Sequence, residues 1–198
     1  MDWEAAGGQK SRFPFHAGPI RPADPHPRSS LMGVPRLHVI GRKNAGKTTL
    51  VVEWIELLRE RGLRVGSIKH THHRHELDVP GKDSFRHREA GAAPVAILSP
   101  AMTAVFRPNP SGIAGDGYAW LDHLWLDCDL VLVEGDSQTK FPKVEVWRPE
   151  TQDRPLAESD PSILALISDT DAGLALPRWP RSDPSALLAH LLDWLGRT

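Results

Sequence analysis

Cysteine is nearly missing from this 198-residue chain: Cys128 is the only one, so no intrachain disulfide and no Cys-x-x-Cys metal knuckle can form. A lone thiol of this kind reads as a small, buried, weakly polar group rather than as a nucleophile. An excess of one charge is missing too, since 24 Lys plus Arg stand against 25 Asp plus Glu and leave a formal net charge of −1. Sequence-independent binding to nucleic acid draws on a basic surplus that displaces counterions, so no nucleic-acid partner is expected. No apolar run approaches the ~18 residues that span a bilayer. The start, Met1-Asp2-Trp3-Glu4, has neither the basic nor the apolar region of a secretion signal. These absences lead to the expectation of a soluble cytoplasmic protein with no membrane contact. With 40% hydrophobic and 25% charged residues, the chain is expected to build one main core.

Proline is plentiful and unevenly placed. Six of the 18 prolines (Pro14, Pro19, Pro22, Pro25, Pro27 and Pro35) fall within residues 1–35, among Gly, Ser and Arg and without apolar periodicity. Such a segment cannot bury enough surface to offset chain entropy and is expected to be a flexible extension, leaving 36–198 as the folded domain. Between Arg36 and Val79 there is no proline, and the pattern becomes regular. Leu37-His38-Val39-Ile40 is a short apolar run ending at Gly41, read as a buried strand. Leu50, Val51, Trp54, Ile55 and Leu58 then recur at helical spacing up to Gly62, and Arg64–Ile68 is a second strand, which makes a βαβ unit with parallel strands.

Further along, Asp83–Ala90 reads as a short charged helix closed by Gly91, and Val95–Leu98 with Thr103–Phe106 as a small hairpin. Tyr118–Leu126 reads as helical, Asp129–Val133 as an apolar strand, and Val144–Trp147 as an alternating strand with one solvated face. Ile163–Ile167 is another buried strand, and Ala186–Leu195 a closing amphipathic helix. Strands alternating with helices predict an α/β fold: a three-layer domain with a mostly parallel sheet and a small added β-hairpin.

The sharpest motif is Gly41-Arg42-Lys43-Asn44-Ala45-Gly46-Lys47-Thr48, which satisfies G-x-x-x-x-G-K-[ST] directly after a strand and at the opening of a helix. Glycines at 41 and 46 permit the backbone angles that turn successive N–H groups toward a phosphate, and the helix N-terminus adds donors and partial positive charge. Lys47 is expected to reach the β- and γ-phosphates, the Thr48 hydroxyl to ligate Mg²⁺ and the Thr49 hydroxyl to meet the α-phosphate. Asn44 and Ala45 complete the loop. Leu130-Val131-Leu132-Val133-Glu134 is an apolar strand ending in a carboxylate at the ligand-binding edge of a parallel sheet. Glu134 is therefore expected to serve Mg²⁺ or orient an attacking water.

Half of the ten histidines (His70, His72, His73, His75 and His87) lie between residues 70 and 87. Three readings of the loop Lys69–Asp78 stand side by side. It is a switch loop that brings Asp78, or the nearby Asp83, to Mg²⁺; or a transition-metal site built from imidazoles; or a solvated loop. Lys82, Arg86 and Arg88 either meet an anionic partner or pair along their own helix.

Several blocks together resemble the molybdopterin-guanine dinucleotide biosynthesis protein B (MobB) family: the loop Gly41–Leu50, then Ile68-Lys69-His70-Thr71-His72-His73, then Gly81–Ala92, Leu132-Val133-Glu134-Gly135 and Phe141-Pro142-Lys143-Val144-Glu145-Val146. The resemblance covers most of residues 36–170 and leaves out the proline-rich start. It implies a P-loop NTPase fold and a dimeric, weakly hydrolytic GTP-binding protein. Such a protein assists attachment of GMP to molybdopterin beside a MobA-like guanylyltransferase. By match, Gly46, Lys47, Thr48 and Thr49 bind the triphosphate, and Asp78, Asp83 and Glu134 lie near Mg²⁺. After Glu134-Gly135, where the family continues with an aromatic residue and a lysine, this chain has Asp136-Ser137-Gln138-Thr139-Lys140. No N-K-x-D element marks guanine; Asp169, after the strand Ile163–Ile167, is the candidate acceptor for the guanine N1 and N2 donors. Two rival functions are a GTPase metal chaperone whose histidine loop carries nickel or zinc, and a small-molecule kinase.

Overall fold

A computed structural model describes residues 33–71, 73, 76–109 and 118–197. The expected extension at 1–35 lies almost wholly outside the described residues, as do His72 and His75.

Five strands form around the first apolar run: β1 (Arg36–Ile40), β2 (Val65–Lys69), β5 (Leu130–Glu134), β6 (Lys143–Val146) and β7 (Ile163–Ile167). A short β8 (Arg178–Trp179), not anticipated from the sequence, extends the edge. The order across this six-stranded sheet is β2-β5-β1-β6-β7-β8, and every neighbouring pair is parallel. Since all strands point one way, their C-terminal ends share one edge. The residues that follow β1, β5 and β7 (Gly41, Gly135 and Ser168-Asp169) therefore gather there with Lys69 and Glu134, the last residues of β2 and β5.

One face of the sheet is covered by α1 (Lys47–Glu60) and α3 (Pro184–Trp194). Leu50, Val51, Trp54 and Leu58 from α1 and Leu187, Leu188 and Leu191 from α3 pack on Leu37, Val39, Leu132, Val144, Val146 and Ile167. The helical spacing of these residues puts them on one stripe of each helix, and their burial is the main stabilising term. α1 ends where expected, with Gly62 at φ +76 and Leu63 N–H donating back to Leu58 O at 3.0 Å. α3 begins on Asp183, whose carboxylate accepts from Ala186 N–H at 2.9 Å, with Pro184 at the first helical position.

The opposite face is thinner. Tyr118, Trp125 and Val34 pack on Val131 and Val133 and on Ile68 of the adjacent β2. The segment expected as a helix over Tyr118–Leu126 is a 3₁₀ turn, Ala119–Leu124. This face also corrects the expectation for β6. All four of its residues are buried, including Lys143 and Glu145, so there is no solvated face. The alternation in Lys143-Val144-Glu145-Val146 is real, but β6 lies between β1 and β7 and its polar side is covered. Lys143 Nζ pairs with Asp160 at 2.6 Å and donates to Ser137 O and Thr139 O at 3.0 and 3.1 Å. The Glu145 carboxylate accepts from Leu156 and Ala157 N–H at 2.8 and 2.9 Å. Each buried charge thus carries its own partners.

α2 (Asp83–Glu89) and the antiparallel hairpin β3 (Val95–Leu98) and β4 (Thr103–Phe106) stand apart from the main sheet. Ser99 closes the hairpin turn through Met102, donating from N–H and hydroxyl to Met102 O at 2.9 and 2.8 Å. Among the described residues no helix is long and apolar enough to cross a membrane.

Candidate nucleotide-binding site

The loop between β1 and α1 is shaped by positions that only small or turn-forming residues occupy. Gly41 has φ +140, and a β-carbon there would lie 2.3 Å from Val146 O on the adjacent β6. Asn44 and Gly46 also have positive φ, +63 and +99, and Gly46 is the residue from which α1 starts, without a side-chain cap. The N-terminal amides of α1 therefore face the loop, a geometry suited to an anion. Ala45 is buried beneath the loop, while Thr48 and Thr49 are exposed at its mouth. Arg148, after β6, donates to Asn44 O.

Lys47 Nζ bridges Gly41 O at 2.9 Å and Arg42 O at 2.7 Å, which holds the ammonium over the loop. Its pKa is lowered, first by burial; Glu134 acts in the opposite direction and Lys69 adds to the lowering. Thr48 Oγ1 donates to Glu134 Oε1 at 2.8 Å. Lys69 Nζ is bonded to the same oxygen. The loop, the strand-end carboxylate and a second lysine thus converge. A hydroxyl and a carboxylate side by side form an oxygen donor set that suits a hard cation such as Mg²⁺.

The other expected site residues make contacts of their own. Asp78 is buried and faces α2: it accepts from Val79 N–H at 2.8 Å and from Ser84 Oγ at 2.9 Å, and Arg88 Nε lies 3.6 Å away. Asp83 begins α2. Arg88 also donates to Glu76 at 2.7 Å and lies over the rings of Phe85 and Phe106, so it ties the loop after β2, α2 and β4 together. Asp169 accepts from Ser182 N–H at 2.8 Å, and that bond leads the causes that lower its pKa. Among the described residues no group of three or more His, Cys, Asp or Glu side chains is arranged to hold a metal ion. Cys128 is half-buried, and burial raises its pKa.

Sequence reasoning passed over a buried cluster on the thin face. His38, fully buried, stacks on Phe141 at 5.8 Å and meets Tyr118 edge-on at 5.6 Å. The Tyr118 hydroxyl donates to Asp136 at 2.7 Å, and the Arg36 guanidinium lies over both aromatic rings. Asp136 thus occupies the place after Glu134-Gly135 with a left-handed backbone, φ +60, and its carboxylate joined to the cluster. The signal was a histidine inside an apolar strand, which pattern alone reads as core.

A parallel sheet whose central strand runs through a glycine-bounded loop into a helix, with a carboxylate at the end of the adjacent strand, defines the P-loop NTPase fold. The family model described as "MobB: Molybdopterin guanine dinucleotide synthesis protein B" matches residues 36–169, and the chain belongs to that family. The molybdopterin-guanine dinucleotide biosynthesis adapter protein of Haemophilus influenzae is 38% identical over 136 residues, 69% of this chain and 75% of that protein. The adapter protein of the same description from Escherichia coli is 32% identical over 166 residues, 83% of this chain and 95% of that one. A crystal structure of molybdopterin-guanine biosynthesis protein B superimposes with a TM-score of 0.62 at 30% identity, covering 81% of this chain and 99% of that one.

Proposed function

We propose that this protein is a Mg²⁺-dependent GTP-binding adapter of molybdopterin guanine dinucleotide synthesis, a slow GTPase. In this reading it acts as a homodimer beside the MobA-like guanylyltransferase that joins GMP to molybdopterin. The observation that carries this reading is the meeting of Thr48, at the start of α1, with Glu134, at the end of β5, under the mouth of the Gly41–Thr48 loop. The adapter relatives support the pathway, and the loop supports the ligand class.

In this reading the loop amides and Lys47 hold the triphosphate, and because they are already oriented they stabilise the charge that builds on the phosphate oxygens during hydrolysis. Thr48 and Glu134 would hold the metal, which when bound would supply positive charge to offset that of the triphosphate. Glu134 orients the attacking water. Asp78 and Asp83 are carboxylates that a rearranged loop after β2 would bring closer; Asp78 would first release Ser84 and Val79. Thr49 meets the α-phosphate, and Asp169 reads the guanine N1 and N2 donors. The exposed apolar residues of the hairpin, among them Leu98 and Met102, are offered as the contact with a second copy.

The test is a titration of the purified protein with GTP and ATP, with and without Mg²⁺, followed by a pull-down of a MobA-like guanylyltransferase. Preferential, Mg²⁺-dependent binding of GTP and nucleotide-dependent capture of the enzyme are expected. Equal affinity for ATP, or capture indifferent to nucleotide, would contradict the reading.

A further inference from the structure

Glu134 is engaged on two sides. Thr48 donates to Oε1 at 2.8 Å, and Lys69 Nζ pairs with that same oxygen. Lys69 and Glu134 end adjacent parallel strands and are register partners, so the sheet itself aims one side chain at the other. The backbone around them is fixed. His70 N–H donates to Glu134 O at 2.9 Å, and a β-carbon on Gly135, which has φ +99, would come within 2.9 Å of His70 O. Freedom therefore resides in the side chains. That of Lys69 is 62% exposed, against 9% for Glu134, so Lys69 can leave the carboxylate by rotation into solvent while Glu134 stays in place.

We propose that Lys69 is an internal counter-cation that holds the Glu134 carboxylate until a divalent ion takes it, and that this exchange sets how much Mg²⁺ nucleotide binding requires. The proposal rests on the reading of the loop as a Mg²⁺-nucleotide site. A carboxylate held among protein groups with no cation beside it is costly, and an ammonium offsets that cost in the metal-free protein. A divalent ion at the same oxygen would face like-charge repulsion from that ammonium, so it has to displace it. Lys69 acts here as a positioning residue, through Glu134 and not on the nucleotide.

The test is a titration with Mg²⁺ at fixed fluorescent GTP analogue for the wild type, Lys69→Met and Lys69→Arg, read as the Mg²⁺ concentration at half-maximal binding. For Lys69→Met that midpoint is expected to fall by about three- to tenfold, because the metal no longer competes with an ammonium in a partly exposed pair. Lys69→Arg keeps the charge and is expected to stay near the wild type; melting curves of all three report folding. An unchanged or raised midpoint in Lys69→Met overturns the proposal. So does a loss of affinity at every Mg²⁺ concentration with the midpoint unmoved, which would make Lys69 a direct phosphate ligand. If the wild type binds no nucleotide at any Mg²⁺ concentration, the failure belongs to the P-loop reading itself.

Discussion

Gly41 lies so close to Val146 that a β-carbon on it would be 2.3 Å from the Val146 carbonyl oxygen, a backbone atom fixed by the sheet. Gly41→Ala should therefore strain both the loop and the β1–β6 contact, at a cost of about 2–4 kcal/mol. In a chain of this size that corresponds to a fall in Tm of roughly 5–12 °C, measurable by calorimetry. A melt within a degree of the wild type would show that the loop can move away from β6.

Glu134 carries the charge on which Thr48 and Lys69 converge. Glu134→Gln keeps the shape and removes the charge, so Mg²⁺ should lose most of its effect on nucleotide affinity. The expected weakening of Mg²⁺-dependent binding is about ten- to a hundredfold, the worth of one charged contact. Calorimetric titration with and without Mg²⁺ reads it directly; an undiminished Mg²⁺ effect would remove Glu134 from the metal.

His38 gives the protein a stability that depends on pH. Burial brings its pKa down from 6.5 to about 4, against the opposing contacts with the Gly135 carbonyl and Asp136. Between those two values the unfolded chain binds the proton and the folded chain does not. The stability that neutral His38 supplies is thus full above pH 6.5 and is lost as the pH falls toward 4. Its size is up to about 3 kcal/mol. Glu145, raised by burial, works in the opposite direction, so the decisive quantity is the difference in slope between proteins. His38→Leu should flatten the dependence of Tm on pH across this window, whatever its effect on Tm itself. An unchanged slope would place the pH sensitivity elsewhere.

Much of this site was legible because its signals are local. Gly41, Gly46, Lys47 and Thr48 sit within eight consecutive residues, and the helix shows its buried stripe in the spacing of Leu50, Trp54 and Leu58. The strand ending in Glu134 was legible for the same reason. What escaped was set by sheet order. Lys69 meets Glu134 only because β2 and β5 are neighbours, and β6 has no free edge because β1 and β7 flank it, while its polar face is covered from residues 156–160. Lys143 and Glu145 look like a solvated face until Asp160 and the amides of Leu156 and Ala157 are known to cover them. Asp78 illustrates the reverse: a carboxylate in the right stretch of sequence turns toward Ser84 and Arg88.

The hairpin leaves Leu98 79% exposed, with Ile97, Met102 and Val105 also in solvent. If a second copy covers them, Ile97→Lys with Leu98→Lys should convert a dimer to a monomer in sedimentation at micromolar concentration, with nucleotide affinity retained within about threefold. A dimer that survives both charges would place the contact on another surface.

The Gly41–Thr48 loop is proposed to bind a nucleoside triphosphate, and Lys47 tests that proposal most directly. Lys47 is half-buried and its bonds are to Gly41 O and Arg42 O within the loop, so Lys47→Ala should change the stability of the ligand-free protein by no more than about 1 kcal/mol. Isothermal titration of GTP with Mg²⁺ into both proteins should give binding to the wild type and none to Lys47→Ala. Retention of wild-type affinity by a folded Lys47→Ala protein would contradict the account.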